Sequence, residues 1–336
     1  MKLFSCPACG ATLHFDNALC GRCGTAVGYD PGSNAMVAIG DSHALCANAA
    51  HGACNWIVPA SGGEGALCRA CIHNDTIPDL SIGANLANWQ EIERAKKRLF
   101  YQLIRWNLPL VTRAEDPAHG LAFRFLADDD AFDPVMTGHE NGIITIALAE
   151  ADEQERERRR AGLGEPYRTL LGHFRHEIAH HYWDVLVTDG PARDIVRAAF
   201  GDDTVDYAAA LQAHYAGGAP AGWQNEFVSA YASSHPWEDF AETWAHYFHI
   251  VDTLETASAF GLTLAPPVAD PPLAAQVTGD PYTEADTARL VGLWVPLSVA
   301  LNSLNRSMGG RDAYPFVLTP TITGKLDVVA RLVHGG

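Results

Sequence analysis

All eight cysteines of this 336-residue chain fall between positions 6 and 71, and the 265 residues that follow contain none. No other feature narrows the possible folds as far. Cys6-Pro-Ala-Cys9 and Cys20-Gly-Arg-Cys23 are two knuckles with ten residues between them, each followed by a glycine, Gly10 and Gly24. A CxxC turn aims two thiolates at one point, and the glycine accepts the left-handed backbone that closes such a turn. Two knuckles therefore predict one tetrahedral four-thiolate zinc site rather than a pair of disulfides. Cys46, Cys54, Cys68 and Cys71 predict a second, although only Cys68-Arg-Ala-Cys71 is a regular knuckle and seven residues separate Cys46 from Cys54. His51 is the alternative ligand there, with a solvent-facing loop histidine the plainer reading. Four thiolates leave no coordination position for chemistry, so both ions are expected to be structural. In a module with so little core, zinc supplies the folding free energy.

Cysteines used this way point to a reducing compartment, and the expected location is the cytoplasm. The opening "MKLFSCPACG" has no apolar stretch ahead of its first cysteine, as a lipoprotein signal requires. No run of about 18 apolar residues occurs, so no membrane span is expected. A net charge of −17 argues against nucleic acid as partner. The cysteine-rich part agrees, with three Lys/Arg against five Asp/Glu in residues 1–75. Protein contact or structural support is the more plausible task for this ribbon. The cysteine boundary gives the expected organisation: a zinc-ribbon module over 1–75, a linker and helix over 76–110, and a larger domain over 111–336.

Leu86, Trp89, Ile92, Leu99, Leu103 and Ile104 form one face of a helix that Pro109 terminates. Its basic run "RAKKR" reads as a solvated surface. "GLAFRFLA" and "NGIITIALAE" read as strands, the second after an Asn-Gly turn, with "GIITIAL" a candidate sheet edge for an extended substrate. "ADEQERERRR" suits an exposed helix with Asp152/Arg156 and Glu155/Arg159 at i,i+4. A further helix is expected to open at Glu165-Pro166. Then come a polar stretch to about residue 235, a helix from Pro236 to about Leu254, and the Pro-rich loop "LAPPVADPPLAA". A helix from Tyr282 to Leu304, with Thr283 and Asp286 as a capping box, and a short closing helix in "TGKLDVVARLV" complete the chain. The fold class expected is α+β: mostly helical, with a small sheet.

The chemistry is carried by His176-Glu177-Ile178-Ala179-His180. On a helix, residues four apart share a face, so both imidazoles reach one zinc ion. Glu177 lies about 100° around the helix, near the metal without being needed as a ligand, where it can accept a proton from an activated water. A catalytic site needs a third protein ligand and an open fourth position. Glu238 and Glu242, four apart in "PWEDFAETWAHYF", supply carboxylates on an aromatic helix, where burial is costly unless they coordinate or pair. Glu238 is assigned to zinc and Glu242 to orienting a ligand histidine. His181, His235, His246 and His249 read as structural or supporting residues, and His173 as a satisfied helix histidine.

The chain resembles the zinc-binding metallopeptidases that carry an N-terminal zinc ribbon. The likeness runs through "CPACG", "CNWIVPA", "CRACIHNDTIPDL", "GEPYRTLLGHFRHEIAHHYWD" and "FVSAYASSHPWEDFAETWAHYFHIVDTLE", over roughly residues 1–260. It implies a zincin-like peptidase domain acting on peptides or proteins, without naming the substrate. The spacing of Glu238 and Glu242 is similar to that of gluzincins. The anthrax lethal factor type has two aromatics between Glu and Ala-Glu where this chain reads "EDFAE", so Asp239 is a departure. That type also has a tyrosine seven residues before its ligand, which implies that Tyr231 donates a hydrogen bond to the oxyanion of the intermediate. Fifty-seven residues separate His180 from Glu238, more than in compact gluzincins, and this leaves Glu242 as a competing ligand. The full expectation is three zinc ions per chain, one catalytic and two structural. Two other readings stay open: a ribbon adaptor whose HExxH site is not catalytic, and a hydrolase of non-peptide amides.

Overall fold

The ribbon folds on itself by closing each cysteine knuckle with its glycine. In this computed structural model, which describes residues 1–128, 135–156, 158, 169–188, 190–267 and 273–335, Gly10 has φ 70° and Gly24 has φ 74°. Their amides donate to the Cys6 and Cys20 carbonyls, both at 2.9 Å. Three short hairpins follow from this start: β1 (Phe4–Ser5) with β2 (Thr12–Leu13), β3 (Val27–Asp30) with β4 (Ala35–Ala38), and β5 (His43–Leu45) with β6 (Ile57–Pro59). The fold class is α+β.

Chain contacts divide the protein into two units, Met1–Phe174 and Arg175–Gly336. Within the first, strand β7 (Asn74–Thr76) leaves the second cysteine cluster and pairs in parallel with β8 (Ala122–Leu126). The sheet order is β7-β8-β10-β9, with β9 spanning Gly138–Glu140 and β10 Ile143–Ala147. Asn141 and Gly142, at φ 49° and 80°, make the tight turn that folds β9 back onto β10. That hairpin corrects the expectation of a free edge at "GIITIAL". β10 is interior, hydrogen-bonded to β8 on one side and β9 on the other.

Helix α1 (Asn85–Arg105) also differs from expectation. Lys96 and Lys97 of the basic run are only 0% and 3% exposed, as is Glu93 at 0%. The ribbon has too little core of its own and borrows one: Phe15 packs edge-on against Tyr101 of α1 at 5.5 Å and against Tyr29 at 4.8 Å. Arg98 holds Asp16 at 2.5 Å, and Gln90 donates to the His51 carbonyl at 2.6 Å. Burying this helix takes its charges inside, where each needs a partner. Lys96 Nζ is 2.8 Å from Glu93 Oε1 and stands over the Phe125 ring; Lys97 donates to the Ala53 carbonyl.

The remaining differences are local. Asp152 accepts from the amides of Gln154 and Glu155, and Arg156 reaches the Glu150 carbonyl, rather than the two pairing with each other. Arg159 and the Glu165-Pro166 opening lie outside the described residues; α2 is described over Leu170–Leu186.

The second unit is mostly helical, with one short antiparallel pairing of Thr263–Leu264 with Ala275–Gln276. The expected polar stretch before residue 235 contains α3 (Pro191–Phe200) and α4 (Tyr207–Gly217). α5 (Pro236–Ala259) is its buried axis, where Phe240 packs tilted against Trp244 and Trp244 stacks on Phe248. α6 runs Thr287–Ser307 rather than from Tyr282, because the Asp286 carboxylate alone caps it, accepting from the Arg289 amide at 3.1 Å. By length and composition α6 is apolar enough to cross a membrane, although 33% of that stretch is buried, which modifies the expectation of no such segment. α7 (Pro320–His334) closes the chain and sends Lys325 to Asp239 at 2.5 Å. This buried pair accounts for the departure at Asp239.

Two histidines held neutral by their surroundings, buried His246 and half-buried His249, are expected to make the second unit acid-sensitive. Burial, reinforced by Arg175, holds His249 at a pKa of about 3, and burial holds His246 at about 4. The unfolded chain therefore takes up these protons first, below about pH 6.5. Their contribution to stability is complete above that pH and lost as pH falls toward 4. His249→Gln should lose less melting temperature than the wild type between pH 7 and 5. Parallel melting curves for the two proteins would refute this.

Candidate metal centre

The helical spacing of α2 does what the sequence requires of it. His176 and His180 lie one turn apart with their Nε2 atoms 3.2 Å from each other. α5 begins at Pro236, and the first turn of that helix brings Glu238 to the same point: Oε2 is 3.0 Å from His176 Nε2 and 3.7 Å from His180 Nε2. Three donors each about 2.1 Å from a tetrahedral ion would stand roughly 3.4 Å apart, which is the mean spacing here to within a few tenths. Glu238 is 1% exposed, yet its Oε2 has no hydrogen-bond partner. A buried carboxylate oxygen aimed between two imidazole nitrogens is costly unless a cation sits among them. The residues fit the metal.

Neighbouring side chains hold His176 and Glu238 in place. Glu242 accepts at Oε1 from His176 Nδ1, 2.8 Å away, leaving Nε2 as the nitrogen that faces the cluster. Its other oxygen accepts from Ser229 Oγ at 2.7 Å. Glu242 is thus engaged by His176 and Ser229, and the group whose donor atoms converge on one point is His176, His180 and Glu238. Burial opposes charge on Glu238, but His176 and His180 hold its carboxyl down at about 2. Burial also opposes charge on His176, and Glu238 and Glu242 outweigh it, raising that imidazole well above its ordinary range. Two carboxylates, Glu238 and Glu242, thus face the two ring nitrogens of His176.

Glu177 is half-buried and adds no atom to the cluster. Tyr231, in a short turn over Tyr231–Ser234, puts its ring 6.0 Å from that of His176. Burial first, then the Glu238 carboxylate and more weakly Glu177, hold the hydroxyls of Tyr231 and Tyr207 far above the ordinary tyrosine range. Both remain proton donors. Sequence reasoning missed Tyr207 on α4, whose hydroxyl donates to Glu238 Oε1 at 2.6 Å, and Ser229. Neither carries a periodic or motif signal.

The other histidines have separate tasks. His235 caps α5, accepting at Nδ1 from the Trp237 amide at 3.0 Å. His246 meets the Tyr314 hydroxyl at 2.7 Å, His249 accepts from Arg175 at 3.1 Å, and His181 is buried beside Tyr182. His173 Nδ1 lies 3.2 Å from Glu150 Oε2.

The two cysteine clusters have zinc dimensions as well. Sγ separations are 3.7 Å for Cys6–Cys23, Cys9–Cys20 and Cys54–Cys68. Thiolates about 2.3 Å from one tetrahedral ion lie about 3.8 Å apart, whereas a disulfide would bring them to about 2.05 Å. All eight cysteines are free, grouped as Cys6, Cys9, Cys20, Cys23 and as Cys46, Cys54, Cys68, Cys71. His51 is exposed and outside the second group.

Comparison with known families agrees with this arrangement. Residues 85–332 match the family described as "Putative zinc-binding metallo-peptidase", and residues 3–82 match a zinc-ribbon domain. The chain belongs to that metallopeptidase family. Proteins of Mycobacterium bovis and Mycobacterium tuberculosis, each described as an uncharacterized protein, are 44% identical to it over 99% of this chain and 94% of their own length. No solved structure matches. Zinc is thus the metal of this family, and both the ribbon clusters and the His-His-Glu cluster have donor sets suited to it.

Proposed function

We propose that the protein is a zinc-dependent peptidase of the gluzincin kind. The observation that carries this reading is the convergence of His176 Nε2, His180 Nε2 and Glu238 Oε2 on one point, which among the described residues leaves one position of a tetrahedral ion without a protein ligand. Three protein ligands and an open position are the arrangement of catalytic rather than structural zinc. Zinc held there supplies a Lewis acid and a water acidified toward neutral pH.

The chain's own residues do the rest. Glu177, beside the cluster without entering it, takes the proton from the attacking water and passes it to the leaving amine. Tyr231 keeps its proton and donates to the oxygen that becomes negative as the scissile carbonyl is attacked. Glu242 holds His176 in the tautomer and orientation that direct Nε2 at the ion. The substrates are peptides or proteins, the compartment is the reducing cytoplasm, and the two four-cysteine sites serve the fold and contact with a protein partner.

Metal content tests the reading. The purified protein should hold three zinc ions, two resisting mild chelation and one removed readily with loss of peptide hydrolysis. His176→Ala should lower the count to two. A wild-type protein that holds two ions, takes up no third from added zinc, and cleaves nothing in a mixed peptide library would instead be a ribbon adaptor.

A further inference from the structure

We infer that Tyr207 is a positioning residue of the metal centre, whose hydroxyl ties up one oxygen of Glu238 so that the metal receives the other alone and keeps a position open. This rests on the metal reading above and deepens it. The two oxygens of Glu238 are divided in the structure. Oε2 faces the histidine nitrogens, whereas Oε1 accepts from the Tyr207 hydroxyl at 2.6 Å. A carboxylate free at both oxygens can close on an ion with both, so that the ion with its water becomes five-coordinate and loses the position a scissile carbonyl would take.

The placement of Tyr207 is built, not incidental. It is the first residue of α4, and the Asp206 carboxylate caps that helix by accepting from the Ala209 amide at 2.9 Å. One step earlier, the Val205 carbonyl accepts from His235 Nε2 at 3.1 Å. His235 accepts at Nδ1 from the Trp237 amide, so its proton sits on Nε2 and a single imidazole staples the start of α4 to the start of α5. Tyr207 and Glu238 are thereby brought face to face. The Tyr207 ring packs edge-on against His235 at 5.2 Å and Trp237 at 5.6 Å, which fixes the direction of its hydroxyl. At 37% exposure the residue contributes little to the core, and α4 itself buries none of its residues. Its hydrogen bond, rather than its packing, is what it brings to the site.

The test replaces the labile metal of the full-length protein with cobalt(II), whose visible d–d bands are several-fold stronger in four-coordinate than in five-coordinate sites. Wild-type protein should give the strong bands. Tyr207→Phe should bind cobalt with an unchanged melting temperature but give bands several-fold weaker, and its kcat on peptides should fall roughly 10- to 100-fold with KM moving less. Asp206→Ala, which only loosens the cap, should change the spectrum in the same direction by a smaller amount, and it decides the matter should Tyr207→Phe fold poorly. Strong bands in both variants would overturn the role of Tyr207 while leaving the metal centre standing. A wild-type protein that takes up no cobalt beyond its cysteine sites would overturn both.

Discussion

Replacing Glu177 with Gln is expected to lower peptide hydrolysis by roughly 100- to 10,000-fold while leaving the zinc content and the melting temperature unchanged. The reason is the division of labour around the cluster. The His176, His180 and Glu238 side chains supply every convergent ligand atom, and Glu177 supplies none. An amide of the same shape at 177 therefore leaves the ion in place. What it removes is the group that accepts the water's proton and returns it to the leaving amine. His176→Ala gives the contrasting result, because it deletes a ligand and orphans the Glu242 oxygen that His176 now engages at 2.8 Å. An adaptor would tolerate Glu177→Gln with no loss of any property, and that outcome would end the enzymatic reading. Because the variant keeps a formed site without turnover, it also serves as a trap. Retained peptides or proteins from a native lysate would support peptidase chemistry, whereas retention of small amides would redirect it to a non-peptide hydrolase.

What could be read in advance was what a fixed local spacing dictates. The four-residue spacing from His176 to His180 places two imidazoles on one helical face whatever surrounds them, and a CxxC turn presents two thiolates for equally local reasons. Glu238 was legible because a carboxylate beside Trp237 and Phe240 demands a partner. Tyr207 and Ser229 were not, since they reach Glu238 and Glu242 across 31 and 13 residues through loops whose course no periodicity encodes. α4 was hidden for a related reason: it buries no residue and so has no apolar stripe to betray it. The basic run of α1 misled in the opposite sense. A charged stretch on a helix ordinarily faces water, but the second cysteine cluster lies against this one, and an anionic metal site changes which side chains are welcome inside.

That electrostatic coupling gives the second large effect: Cys68→Ser is expected to unfold the Met1–Phe174 unit, whereas Cys23→Ser should leave it folded and less stable. Structural zinc contributes about 10–16 kcal/mol of apparent binding free energy, against a total stability of about 5–15 kcal/mol for a domain. The two clusters differ in how they can absorb the loss of a ligand. Cys23 is exposed, so water can take the vacated position of the first site. All four cysteines of the second are buried. Zinc with four thiolates carries a net charge of −2, and the chain answers it with Lys96 and Lys97. Burial alone would lower the Lys96 ammonium, but Glu93 together with the Cys71 and Cys68 thiolates outweighs this and holds it above its ordinary range. Without the ion and a thiolate, two ammonium groups and Glu93 remain in a dry interior with their charges no longer balanced, and such groups are relieved by letting water in. Circular dichroism, limited proteolysis and zinc stoichiometry on the full-length variants would separate the cases. Cys68→Ser should lose one zinc, the cooperative melt and protease resistance over residues 1–174. If it melts within a few degrees of Cys23→Ser, the buried lysines answer to some other charge, and the coupling between α1 and the second zinc site is wrong.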